Sequence, residues 1–140
     1  MSLKIWLVLG LCLFSTFASA EEALTCQSGL YRYRYNGSMH EDPSKFCFDQ
    51  ARSQLRSASC LGGNCEALSQ KICDLAAPPG GSQGGARFCR ALGGFLQQGA
   101  FYDGKAWWDL DRCLFTADIS FVDSGSLSAR RARCFERKAP

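Results

Sequence analysis

The chain has a single histidine in 140 residues, no Cys-x-x-Cys pair and no glycine-rich phosphate loop, so the common signatures of metal, redox and nucleotide chemistry are missing. His40 stands beside Glu41 and Asp42 in a polar stretch with no second histidine to build a ligand cluster. The other acids, such as Glu66, Asp103, Asp109 and Asp111, form no recognisable pair, whereas general acid–base catalysis needs groups held within hydrogen-bond reach. No metal or other cofactor is expected, and an enzymatic role is the less favoured reading.

Long apolar runs are also missing. The longest, residues 5–14, is about half the roughly twenty residues that span a bilayer. It follows Lys4 and leads to Ala18-Ser19-Ala20, the small-residue pattern of a signal-peptide cleavage site, so residues 1–20 read as a secretion signal cut before Glu21. No transmembrane segment is expected in the mature chain. Charge is modest too. The formal net charge is +3, and the signal takes one of 16 Lys plus Arg residues with it, leaving 15 against 13 Asp plus Glu. That balance does not demand an anionic partner, and nucleic acid is not expected outside the cytosol.

What the chain has in quantity is cysteine: nine in all, with only Cys12 inside the signal. Eight cysteines in a short exported chain indicate four disulfides and a secreted or periplasmic location. The segment Ala76-Ala77-Pro78-Pro79-Gly80-Gly81-Ser82-Gln83-Gly84-Gly85 cannot continue a helix or a central strand. It divides residues 21–76 from residues 87–140, with 77–86 as a linker. Cys26, Cys47, Cys60, Cys65 and Cys73 precede it, and Cys89, Cys113 and Cys134 follow. Odd numbers cannot pair within each half, so full oxidation requires at least one bridge across the seam, making the halves one tethered domain.

The fold class expected is α+β. In the first half, Asp42-Pro43 suits a helix start, and residues 42–57 place Cys47, Ala51, Leu55 and Ala58 on one face and Lys45, Asp49, Arg52 and Arg56 on the other. A second helix is expected over residues 64–76, with Cys65, Leu68, Ile72 and Leu75 buried, giving an antiparallel helical hairpin. In the connector, Cys60 and Cys65 can bridge each other or belong to a zinc site. No second close cysteine pair supports the zinc alternative, but spacing cannot choose among the 105 pairings that eight cysteines allow. In the second half, a helix over 86–92 ends at Gly93-Gly94, extended segments 95–102 and 105–115 flank an Asp103-Gly104 turn, and a helix covers 126–138.

Three stretches offer a binding surface. Tyr31-Arg32-Tyr33-Arg34-Tyr35 alternates strictly, so a strand would carry three tyrosines on one face and two arginines on the other before an Asn36-Gly37 turn. Its tyrosines either cover the core or, exposed, join arginine in a recognition surface. Trp107 and Trp108 would point to opposite faces, one into the core and one outward as a surface aromatic or a platform for sugar. Arg130, Arg133 and Arg137 fall along one side of the last helix, a solvated stripe or a contact for an anionic partner.

The residues Phe88-Cys89, Gly93-Gly94, Cys113-Leu114-Phe115, Asp118, Ser120, Val122-Asp123 and Leu127 resemble a small secreted bacterial cysteine-containing domain of unknown function that carries a hemolysin label. The resemblance covers about residues 87–134. It implies a bacterial periplasmic or secreted origin and an α+β fold, and it supplies no catalytic residues. This chain has Ile119 where that family has a turn glycine, and Val122 where it usually has a cysteine.

The functional expectation is a secreted or periplasmic, disulfide-stabilised binding or interaction module for an extracellular protein, a glycan or an anionic envelope polymer. The alternative is a small secreted hydrolase acting on envelope polysaccharide or peptide, which needs two carboxylates close together.

Overall fold

The computed structural model describes residues 24–51, 53–76 and 84–136. The expected signal at residues 1–20, most of the linker and Arg137 lie outside these. Strands β1 (Thr25–Tyr35) and β2 (Ser38–Asp49) form a long hairpin around Asn36-Gly37. Both turn residues have positive φ, 48° and 78°, the mirror-image turn whose twist matches paired strands. Then come β3 (Gln54–Ser57), a short helix α1 (Glu66–Ser69), helix α2 (Gly84–Ala91), β4 (Phe95–Gln97), β5 (Gly99–Tyr102), β6 (Trp107–Asp109), β7 (Arg112–Phe115), β8 (Ser120–Asp123) and helix α3 (Ser124–Glu136).

All eight strands join one antiparallel sheet in the order β4-β7-β8-β3-β2-β1-β5-β6. In a flat sheet β1 and β4, five strands apart in that order, would be separated by about 24 Å at ~4.8 Å per strand. Instead the Tyr31 hydroxyl in β1 lies 3.0 Å from the Gln97 carbonyl in β4 and 2.8 Å from that of Leu110. The sheet therefore curls strongly on itself. Its concave side encloses a core of four aromatic residues, Tyr31, Phe46, Phe101 and Phe121, with Leu55. The second core, centred on Phe88, Phe115, Val122 and Leu127 with two disulfides, lies between sheet and helices. Phe121 and Val122 are consecutive in β8 and feed one core each, as the two-residue period of a strand requires.

The N-terminal helical hairpin is overturned: residues 42–49 lie in β2 and 54–57 in β3. Phe46 and Phe48 sit two apart on the face that meets Phe101, with ring centres 5.0 and 4.7 Å away, and pairing with β1 along Thr25–Tyr35 fixes the register. Pro43 is tolerated because β3 pairs only with Phe46–Asp49, so at Pro43 the strand has a neighbour on one side alone. The second expected helix shrinks to α1 plus a single 3₁₀ turn over Ile72–Asp74. Arg130 of α3 donates to the carbonyls of Ala67, Leu68 and Gln70 at 2.9–3.2 Å, giving these end-of-helix acceptors their partner from another element.

The disulfides are Cys26–Cys47, Cys60–Cys65, Cys73–Cys134 and Cys89–Cys113. Cys73–Cys134 is the bridge across the proline–glycine seam that the odd count requires. Cys60–Cys65 closes the short connector and consumes the thiolates that the zinc alternative needed. Cys89–Cys113 fastens α2 to β7 beneath Gly94, where any side chain would collide with the Cys113 sulfur. Helices α2 and α3 approach so closely at Gly85 that a Cβ would overlap the Ser124 carbonyl. No helix among the described residues is long and apolar enough to cross a membrane.

Candidate functional site

The β1–β2 register places Tyr31 opposite Asp42, Tyr33 opposite His40 and Tyr35 opposite Ser38. These residues share the concave face, because side chains opposite each other in an antiparallel pair point the same way. Their rings form a ladder. Tyr31 and Tyr33 are 6.3 Å apart, Tyr33 stacks on His40 at 5.4 Å, His40 meets the edge of Tyr35 at 6.2 Å, and Tyr35 meets Phe95 at 5.7 Å. Exposure rises along it, from 1 % at Tyr31 to 47 % at Tyr35 and 41 % at Phe95. The ladder thus begins in the core and ends as an open aromatic platform.

Arg112 sits at the buried end. Only 3 % exposed, it donates through Nε to Gln97 Oε1 at 2.5 Å and reaches the half-exposed Asp42 carboxylate at 3.4 Å. Its guanidinium covers the Tyr31 ring at 3.9 Å and the Phe121 ring at 4.8 Å. Burial lowers the Arg112 pKa and raises that of the Tyr31 phenol. Tyr33 is raised as well, by desolvation first and then by the Asp42 carboxylate. Beside this group the surface dips into a concavity of about 330 Å³, walled by Asp42, Lys45, Arg112, Leu114, Ile119 and Phe121. Ile119 has φ +60° and is 64 % exposed, an unfavourable backbone for a β-branched residue that shows an apolar side chain to solvent.

Arg32 and Arg34 leave the opposite face, as alternation requires. Arg32 pairs with Glu41 at 2.6 Å and lies 4.0 Å from the Trp107 ring centre, and Trp107 packs against Tyr102 at 5.2 Å. Arg34 is exposed. Trp108 turns inward against Phe48 and Phe101 and donates to Asp103 at 2.9 Å, so Trp107 is the outward indole, 38 % exposed. The tyrosines and the arginines of the alternating strand therefore serve separate faces. On α3, Arg130 is committed to carbonyls, while Arg133 is exposed.

Of the scattered acids, Asp111 accepts the Gly99 N–H at 3.3 Å, Asp103 organises its own turn through the N–H groups of Lys105 and Ala106, and Glu41 faces away from Asp42. Arg112, Gln97, Phe95 and Ile119 were not legible as site residues. They reach the ladder only once the sheet has curled, and the one local signal was the odd isoleucine between Asp118 and Ser120. No family model, curated protein or solved structure matches the chain.

Proposed function

We propose that the protein is an exported, disulfide-stabilised binding module that holds a glycan along Tyr33, His40, Tyr35 and Phe95, with Asp42 and Arg112 as polar contacts at the inner end. The observation that carries this reading is the continuous ring ladder that passes from core to solvent. Rings held by stacking on one another from a buried base at Tyr31 offer apolar faces at little entropic cost, and a carboxylate with a guanidinium beside them suits hydroxyl-rich ligands. The four disulfides belong to an oxidising compartment, and the signal-like residues 1–20 support export.

The test is a panel of soluble oligosaccharides titrated by calorimetry and by NMR of the His40 ring protons. Saturable binding, weakened at least tenfold by Tyr35→Ala with Phe95→Ala at unchanged melting temperature, supports the reading. Absence of binding across the panel, or binding indifferent to both substitutions, overturns it. Shortening of a polymer during incubation would turn the assignment to the hydrolase.

A further inference from the structure

A cluster of three arginines lies away from the aromatic ladder, between β3 and α3. Arg56 of β3 with Arg130 and Arg133 of α3 lines a concavity of about 150 Å³ whose other walls are neutral, including Leu68, Val122 and Ser126. Arg130 and Arg133 also wall an adjoining, larger depression of about 510 Å³ that runs past Lys71 and Asp74 to the Cys73–Cys134 bridge. The smaller concavity thus presents three guanidinium groups and no carboxylate among its lining residues.

Two details mark it as a receiving site rather than a solvated stripe. The Nε of Arg56 is buried and has no hydrogen-bond partner among the described residues, although a buried N–H is normally satisfied. Arg130 is held by the carbonyls of Ala67, Leu68 and Gln70, so its charge is locked into place in the wall it shares with Arg133. Burial and then the repulsion from Arg133 lower the Arg130 pKa, the condition that an anion between them would relieve. A guanidinium fixed before binding, as that of Arg130 is, suits the tetrahedral oxygens of a phosphate or sulfate, which accept paired N–H donors, better than a diffuse anionic surface.

We infer that Arg56, Arg130 and Arg133 form a site for one tetrahedral oxyanion, a phosphate or sulfate group, free or carried as the ester head of a larger molecule. The site is separate from the glycan ladder and stands if that reading fails.

The probe is inorganic phosphate, titrated at constant ionic strength against ¹⁵N-labelled protein while the Arg56 Nε–H resonance is followed. A saturable shift is expected. Arg133→Met, at an exposed position with no hydrogen bond among the described residues, should weaken it at least tenfold without lowering the melting temperature, and Arg56→Met, followed instead at the Arg130 Nε–H, should abolish saturable binding. Lys105→Gln removes the same charge from a distant turn and should leave it unchanged. Glycerol phosphate in a parallel titration separates the sources. Equal binding supports an ester-borne group, and binding of inorganic phosphate alone supports the free ion. A shift that never saturates, or equal loss in Lys105→Gln and Arg133→Met, overturns the site.

Discussion

The Arg112 guanidinium lies 3.9 Å from the centre of the Tyr31 ring, with both side chains almost wholly removed from solvent. The tyrosine hydroxyl is taken by the Gln97 and Leu110 carbonyls and the arginine Nε by the Gln97 side chain, so Gln97 serves both. This pair ties β1 to β4 and β7, the two strands that the curl of the sheet brings to it. It also supports Tyr33 and the rest of the ladder from beneath.

Arg112→Met keeps the volume and removes the charge, leaving Gln97 Oε1 buried without its donor and Tyr31 without its cation. The expected cost is about 2–3 kcal/mol, from roughly 1–3 for the orphaned acceptor and up to about 2 for the desolvated cation–π contact, less the apolar gain. Because the Asp42 side chain is half exposed, it adds little to that cost. Arg112→Lys should recover less than half, since an ammonium cannot serve Gln97 and Asp42 with one rigid fork. Urea unfolding midpoints of the two variants check both statements, and an unchanged midpoint for Arg112→Met would refute them.

Ile119 holds φ +60°, where a β-branched residue is strained by about 1–2 kcal/mol. Ile119→Gly should therefore raise stability by about 1 kcal/mol, part of the relief being offset by the greater freedom of glycine in the unfolded chain. Because the exposed isoleucine walls the concavity beside Arg112, the same variant should bind glycan more weakly while unfolding at higher denaturant. Stability and affinity moving in opposite directions is the outcome to look for, measured on one protein preparation.

The strand Tyr31–Tyr35 and its Asn36-Gly37 turn were legible because a strict two-residue alternation has no helical interpretation. Residues 42–57 were not, since Cys47, Ala51, Leu55 and Ala58 satisfy a helical period as well as Phe46 and Phe48 satisfy a strand. What decides between them is β1, which pairs with Asp42–Phe48 along seven residues, Thr25–Tyr31, and such pairing is not written in any local window. The end of α1 was hidden for a similar reason: the arginine that takes its carbonyls comes from sixty residues downstream. Parity of cysteines revealed that a bridge crosses the seam, yet could not say that Cys73 meets Cys134. The ladder itself was half visible, its tyrosines readable from spacing and its buried Arg112 readable only from the curl.

Asp123 gives stability a dependence on pH. It is 1 % exposed and caps α3 by accepting the Ser126 N–H at 2.7 Å, while also accepting the Leu55 N–H at 2.8 Å. Burial nevertheless raises its pKa above the usual 3.8. The folded protein therefore binds a proton at a pH where the unfolded chain has released it, and this group adds stability as pH falls from neutral toward 3.8. Asp118, lowered by hydrogen bonds from Ser120 and the Glu66 N–H, acts in the opposite sense, its contribution fading as pH falls through its depressed value. Asp123→Asn cannot titrate, so the stability of the natural protein relative to this variant should grow on acidification toward 3.8. Thermal unfolding of both at a series of pH values checks the sign, and a gap that narrows would show that hydrogen bonding outweighs desolvation at Asp123.

The four bridges should differ in worth by the loops they close. Cys73–Cys134 spans 61 residues and Cys60–Cys65 spans 5. On the chain-entropy model these correspond to about 4 and about 2 kcal/mol of restraint on the unfolded state. Replacing Cys73 and Cys134 together by alanine should thus cost about twice as much as replacing Cys60 and Cys65. The long bridge also fastens the 3₁₀ turn at Ile72–Asp74 to α3, beside the arginines of the oxyanion site. Its loss should weaken phosphate binding by letting Arg130 and Arg133 move relative to Arg56, whereas loss of the short bridge should leave that affinity nearly unchanged. Measuring unfolding and phosphate titration on both double variants separates the two effects. Equal destabilisation would show that strain or residual structure in the unfolded chain, rather than loop length, sets the strength of these bridges.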